Sequence, residues 1–198
     1  MSVEFKASET LQNLMRAFAG ESQARNRYTF AAAQARAVQL ELLAQVFLFT
    51  AEQERAHAKV FYEHLRQLAG QTITVDGTYP VDLSQDLGQL LQLAQHNELE
   101  EFDKVYPAFA KTAQQEGFEQ VAASFQRIAQ VEHMHANRFQ HIAQLVQQNQ
   151  LTGRSDGELW MCLNCGHVHR GGQAPGQCPV CQYGQGYFSP VELAPWTC

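Results

Sequence analysis

Glu-x-x-His occurs twice in this chain, as Glu54-Arg55-Ala56-His57 and as Glu132-His133-Met134-His135, each within a stretch whose apolar residues recur at helical spacing. Residues three apart on a helix project to one side, so each motif presents a carboxylate and an imidazole to a common point. A lone glutamate precedes each motif at nearly the same distance: Glu21 lies 33 residues before Glu54, and Glu98 lies 34 before Glu132. The chain reads as a two-helix unit used twice. Two such units closing on each other make a helix bundle with acidic and imidazole side chains at its centre.

Helical periodicity runs over residues 8–150 and breaks where glycine, proline and β-branched residues gather. The spacing predicts a first helix from about Ser8 to Arg36 and a second from about Gln39 to Ala69, stopped by Gly70. Asp82, with Gln85 three residues on, is the expected cap of the third, and Gly117 divides it from a fourth that continues to about Gln150. Residues 71–81 hold Thr72, Ile73, Thr74, Val75, Asp76-Gly77 and Pro80, a turn-rich extended segment able to cross the length of a bundle. Two antiparallel pairs joined by one long crossover make a ferritin-like four-helix bundle.

The inward seams carry charge. On the second helix Leu43, Phe47, Thr50, Glu54, His57 and Phe61 recur at alternating steps of three and four, and the fourth repeats this with Val121, Phe125, Ile128, Glu132, His135, Phe139 and Ile142. On the first, Leu14, Phe18, Glu21, Arg25 and Tyr28 share a face; on the third, Leu87, Leu91, Ala94, Glu98, Glu101 and Val105 do. Each core carboxylate loses on the order of several kcal/mol of solvation unless a cation compensates. Five of them, Glu21, Glu54, Glu98, Glu101 and Glu132, together with His57 and His135, point to two bound metal ions, with Glu54 and Glu132 as natural bridges. The mixed oxygen and nitrogen set favours iron, with manganese as the alternative. Glu52, Glu63, Glu100, Glu116 and Glu119 fall off the seams and read as solvated, as His64, His96, His133 and His141 read as surface or end-of-core residues. Tyr28 and Tyr106 read either as core packing or as hydrogen-bond donors to ligating carboxylates. Pro107 removes a backbone bond and is expected to kink the third helix near the site.

The composition changes after the fourth helix. Residues 1–148 read as the bundle, 149–157 as a linker rich in small polar residues, and 158–198 as a separate module of glycine, proline and cysteine. All five cysteines lie in that last segment. Cys162 and Cys165, with Cys178 and Cys181, form two C-x-x-C knuckles able to offer four thiolates to one tetrahedral ion, while Cys198 is left over as a free thiol. Zinc and iron share that geometry; beside a two-metal site, iron is favoured because it changes oxidation state and zinc does not. A net charge of -6 gives no footprint for nucleic acid, and no basic-then-apolar leader or membrane-length apolar run occurs, so a cytoplasmic protein is expected.

These residues resemble the rubrerythrin family along essentially the whole chain. Residues 18–28, Phe-Ala-Gly-Glu-Ser-Gln-Ala-Arg-Asn-Arg-Tyr, resemble its first-helix signature, and Glu54-Arg55-Ala56-His57-Ala58-Lys59 its second. Tyr106-Pro107-Ala108-Phe109-Ala110 and Glu132-His133-Met134-His135 resemble the third and fourth, followed by a rubredoxin-like module. One departure is Cys181-Gln182-Tyr183, which lacks the glycine usual after that cysteine. The resemblance implies a non-haem peroxidase reducing hydrogen peroxide to water. Electrons would come from a reductase using NAD(P)H or a small carrier such as rubredoxin or ferredoxin, through the rubredoxin-like iron. It implies di-iron ligands at Glu21, Glu54, Glu98, Glu101, Glu132 and His135, with His57 replacing Glu101 when the pair is reduced. It also implies a homodimer in which one subunit's cysteine module serves the other's di-iron site. The competing expectations are a ferritin-like ferroxidase that handles iron, and a redox-responsive protein with structural zinc in the four-cysteine site.

Overall fold

The computed structural model describes residues 3–153 and 158–194. Helix α1 spans Glu9–Ala37, with the Ser8 side chain accepting from the Leu11 amide at its start. A three-residue turn through Gln39, at φ 60, leads into α2, Glu41–His64. Helix α3, Leu87–Glu100, passes through a π-helical turn at Glu101–Val105 into α4, Tyr106–Glu116, so the third arm of the bundle is one interrupted helix. Gly117, at φ 88, ends it in the left-handed region, and α5 runs Glu119–Gln147.

Several boundaries differ from expectation. Helix α2 stops at His64, followed by a 3-10 turn at Arg66–Leu68 rather than continuing to Ala69. Asp86, not Asp82, caps α3, its Oδ1 accepting from the Gly88 amide at 2.8 Å. Asp82 instead pairs with Arg27 and accepts from Asn97 Nδ2 at 2.7 Å, which ties the crossover to α1 and α3. The π turn lies directly before Pro107, which has no N–H for the Asp103 carbonyl and whose ring crowds it. The added residue shifts the seam: Tyr106, 1% exposed, faces the core in place of half-buried Val105. Arg25 also leaves its expected face, exposed and 3.8 Å from Glu52. Glu116 is half-buried rather than solvated and accepts from the amides of Glu9 and Thr10 at the start of α1.

Two apolar clusters fill the bundle. One joins the C-terminal half of α1 to the start of α2, the start of α3 and the end of α5, around Phe47, Leu91 and Phe139. The other joins the start of α1, the end of α2, α4 and the start of α5, around Phe61, Tyr106 and Phe125. This pairing makes α1 antiparallel to α2, and the α3–α4 arm antiparallel to α5. The charged seam residues lie between the two clusters. Among the described residues no helix is long and apolar enough to cross a membrane.

The cysteine segment forms a three-stranded antiparallel sheet ordered β2-β1-β3, from β1 Leu159–Cys162, β2 Val168–Arg170 and β3 Phe188–Pro190. Trp160 and Phe188 pack with Cys162, Cys178 and Ala174, while Tyr183 is exposed and meets Tyr187 edge-on. Within the expected linker, Leu151 packs on the bundle core and the Thr152 carbonyl accepts from the Ala174 amide at 2.8 Å. The sheet sits against the α1–α2 turn so closely that a Cβ on Gly186 would lie 2.0 Å from the Gln39 carbonyl oxygen. Cys198 lies outside the described residues.

Candidate metal centres

Each arm brings its seam residues to the gap between the apolar clusters. Glu21, Glu54, His57 and Glu132 form one group of converging donor atoms, and Glu54, Glu98, Glu132 and His135 a second, all donors in each group lying within 4.8 Å of one another. Glu54 and Glu132 belong to both. His57 Nδ1 lies 3.1 Å from Glu54 Oε2 and 2.9 Å from Glu132 Oε1, and His135 Nδ1 lies 2.9 Å from Glu54 Oε1 and 2.8 Å from Glu132 Oε2. Glu101 stands outside both groups and is half-buried, whereas the other four carboxylates are at most 2% exposed.

The donor set tests whether cations fit. Glu21 Oε2, Glu54 Oε1, Glu98 Oε2, both oxygens of Glu132 and His135 Nδ1 are buried without a hydrogen-bond partner. Buried polar atoms are seldom left unpaired, and these six converge, as ligand atoms do around shared ions. The outward oxygens are satisfied: Tyr28 donates to Glu98 Oε1 and Tyr106 to Glu21 Oε1. Of the two readings of these tyrosines, the structure therefore supports hydrogen bonding to the clustered carboxylates.

Electrostatics agree. Burial, aided by the charge of Glu54, pushes Glu21 up to about 8 against the pull of His57, and burial with neighbouring carboxylates raises Glu98, Glu101 and Glu132. Burial opposes charge on Glu54 too, but its contacts with His135 and His57 outweigh this and hold it at about 2. Desolvation works against the histidine cations, and the carboxylates overcome it, lifting His57 to about 10 and His135 to about 11. Without metal, protons do the neutralising that two multivalent cations would do.

In the cysteine sheet, Cys162 Sγ and Cys181 Sγ are 3.6 Å apart, and Cys165 Sγ and Cys178 Sγ 3.7 Å. A tetrahedron with metal–sulfur bonds of about 2.3 Å separates its sulfurs by about 3.8 Å, so the spacing fits one ion and excludes disulfides, whose sulfurs lie about 2 Å apart. Amides at Asn164, Cys165, His167 and Tyr183 point at these sulfurs, and the Tyr183 amide, with Asn164, brings the Cys181 thiol down to about 6. The two knuckles close alike: the Gly166 amide donates to the Cys162 carbonyl at 2.8 Å, and the Gln182 amide to the Cys178 carbonyl at 3.0 Å.

The family model for rubrerythrin matches residues 12–149, and that for the rubrerythrin rubredoxin-like domain matches residues 160–189. The chain belongs to the rubrerythrin family. It is 41% identical over 184 residues to a rubrerythrin of Clostridium perfringens, covering 92% of this chain and 94% of that protein. It is 40% identical over 192 residues to a rubrerythrin of Porphyromonas gingivalis, covering 97% and 94%. The fully reduced, all-ferrous structure of nigerythrin superimposes with a TM-score of 0.63 at 29% identity, over 96% of this chain and 88% of that one. As in other rubrerythrins, the bundle carries a di-iron carboxylate site and the cysteine module a rubredoxin-like iron, which makes the chain a two-part redox protein.

Sequence reasoning missed Gln53 and Arg138 behind His135, and placed Thr50 on the inward seam without their contact. Gln53 Oε1 lies 3.1 Å from His135 Nε2 and accepts from Arg138 Nη1 at 2.9 Å; Arg138 also donates to Thr50 Oγ1 at 2.9 Å. An amide oxygen only accepts, so Nε2 carries hydrogen and Nδ1 faces the cluster. Arg138, three residues after His135 on the same helix, was the available signal.

Proposed function

We propose that this rubrerythrin reduces hydrogen peroxide to water, using electrons that enter through the four-cysteine iron. The observation that carries this reading is the pair of donor groups sharing Glu54 and Glu132, with the half-buried residue Glu101 beside them. In this reading one ion is held by Glu21, Glu54, His57 and Glu132, the other by Glu54, Glu98, Glu132 and His135, and Cys162, Cys165, Cys178 and Cys181 hold the third. Two irons side by side supply one electron each, matching the two electrons and two protons that turn one peroxide into two waters.

The protein's residues orient and hold protons. Tyr28 and Tyr106 occupy one oxygen of Glu98 and of Glu21, which leaves the other oxygen of each facing inward. Gln53 and Arg138 fix the ring of His135. Glu101, raised by burial and by the charge of Glu21, favours the protonated form of its carboxyl beside the donor groups, where it can hand that proton inward. His57 and Glu101 would be alternatives for one position: His57 converges with Glu21, Glu54 and Glu132, and Glu101 would offer the anionic oxygen that more highly charged, harder cations favour.

Leu40, against the cysteine sheet, precedes Glu54 by 14 residues, so about 21 Å of helix separates that contact from the cluster. This supports a homodimer in which the partner subunit's cysteine module feeds the bundle, itself refilled by a reductase or a small carrier such as rubredoxin or ferredoxin. Two C-x-x-C pairs kept as metal ligands rather than disulfides fit a reducing, cytoplasmic setting.

Stopped-flow mixing of anaerobically reduced protein with hydrogen peroxide tests the assignment. Two bundle irons should oxidise per peroxide, and His57→Ala should slow turnover more than it lowers iron content. Reduced bundle iron that survives the mixing sinks the reading.

A further inference from the structure

Four of the five carboxylate residues are sealed in the core, whereas Glu101 is half-buried and the His57 side chain is 11% exposed. Glu101 lies in the wall of a cavity of about 480 Å³ between α1, the π turn and the crossover, together with Gly20, Gln23, Asn97 and Tyr106. The grooves beside Tyr62 and beside Phe49 reach none of the seven clustered residues. Gly77–Pro80 of the crossover form one side of this cavity, opposite Glu101 on its wall, and Tyr79 is their largest side chain.

Tyr79, 37% exposed, is anchored at both its hydroxyl and its ring. Its hydroxyl donates to the Arg16 carbonyl at 2.9 Å. Its ring rests on two glycines. A Cβ on Gly77 would lie 2.5–2.7 Å from the phenol, and one on Gly20 would meet Tyr79 Cε1 at 3.6 Å. Gly77 does not have positive φ, so space for the ring, not backbone conformation, demands glycine there. Gly20 sits inside α1, where glycine weakens the helix, immediately before Glu21. Ion pairs bracket the segment: Asp76 with Arg16 at 2.7 Å, and Asp82 with Arg27.

We propose that Tyr79 is a specificity-determining residue: its ring, seated on Gly20 and Gly77, sizes the opening to Glu101 so that hydrogen peroxide passes and hydroperoxides with a bulky organic group do not. The inference rests on the peroxide reading above for its substrate, but the size of the opening can be measured without it.

Full-length iron-loaded protein, Tyr79→Ala, Tyr79→Phe and Gly77→Ala supply the test. Gly77→Ala displaces the ring without altering it, on an exposed turn where the bundle's folding is not at risk. The first readout is ligand binding to the oxidised di-iron site, titrated by visible absorption with acetohydroxamate and benzohydroxamate, two ligands that differ in bulk. Tyr79→Ala and Gly77→Ala should tighten benzohydroxamate at least tenfold relative to acetohydroxamate, with Tyr79→Phe like the wild type. The second readout is the rate at which hydrogen peroxide and cumene hydroperoxide oxidise the reduced site. The same two variants should raise the cumene rate at least tenfold and leave the hydrogen peroxide rate within threefold. Hydroxamate and hydroperoxide selectivities within twofold of wild type in both Tyr79→Ala and Gly77→Ala would overturn the proposal. Hydroxamate selectivity that shifts while neither hydroperoxide oxidises any of the proteins would instead remove the peroxide reading and retain the sized opening.

Discussion

Gln182 closes the second cysteine knuckle at φ 64, where Gly166 closes the first at φ 77. A side chain in the left-handed region costs about 1–2 kcal/mol, and among the described residues the Gln182 side chain returns a long 3.4 Å contact from Nε2 to the Pro179 carbonyl. Gln182→Gly should therefore stabilise the four-cysteine site by about 1 kcal/mol, read as slower loss of its iron to a chelator; faster loss would show that the glutamine is needed. The motif alone showed the missing glycine, but not that the chain keeps the same turn without it. Glu116 was misread for the opposite reason: its partners, the amides of Glu9 and Thr10, are more than a hundred positions away in sequence. Burial disfavours its charge, yet the Thr10 hydroxyl and these amides outweigh that and hold its carboxyl below 4.5. A carboxyl depressed in the folded state contributes stability above its unfolded value, lost as pH falls through the folded one. Glu116→Gln should cost about 0.5–1 kcal/mol at pH 7 in denaturant unfolding, and the cost should vanish in acid.

At the scale of elements, every expected seam residue on the second and fourth helices is buried, because unbroken α-helix keeps its phase over six or seven positions. The third arm does not keep phase. The π turn rotates everything after Glu100, bringing Tyr106 inward to Glu21 and leaving Glu101 half out. Proline at 107 signalled a disturbance there, though not its kind. The helices also bring together carboxylates whose charge is opposed by burial. Glu21, Glu98, Glu101 and Glu132 are raised in the folded chain, so the stability tied to their protonation is present below the unfolded carboxylate range and lost as pH climbs through their raised values. His57 and His135 are raised as well, so their contribution is full below 6.5 and lost toward about 10 and 11. Glu54 runs the other way but is already charged above about 2. Metal-free bundle should thus melt at a lower temperature at pH 8.5 than at pH 5.5, and iron should raise the midpoint most at the higher pH. Equal midpoints of the metal-free protein at both pH values would contradict this account of the cluster.

Across the whole molecule, the cysteine sheet rests on the α1–α2 turn through a backbone approach at Gly186 that no side chain could share. Gly186→Val should separate the sheet from the bundle while both metal centres keep their ions, seen as raised proteolytic sensitivity after residue 150 with unchanged iron content. If the two halves stay docked and equally resistant, the Gly186 contact is not what joins them. The crossover is likewise a whole-molecule device. Asp82, expected to cap a helix, joins Arg27 of α1 to Asn97 of α3 and holds the wall of the Glu101 cavity in position.

The order of elements, the four inward seams, the clustered glutamates and histidines and the four-cysteine knuckles were all present in the sequence, because periodicity and local spacing are properties of neighbouring residues. Which of the five glutamates would be half-buried, which aspartate would cap a helix, what Glu116 would bind and where the cysteine sheet would dock came only with the tertiary structure. Those outcomes depend on contacts between residues far apart in the chain and on one π turn whose phase shift no repeat records. The paired Glu-x-x-His motifs thus determined that two metal ions would share the bundle core, and the packing of the crossover, with Tyr79 on Gly20 and Gly77, decided the shape of the cavity beside Glu101.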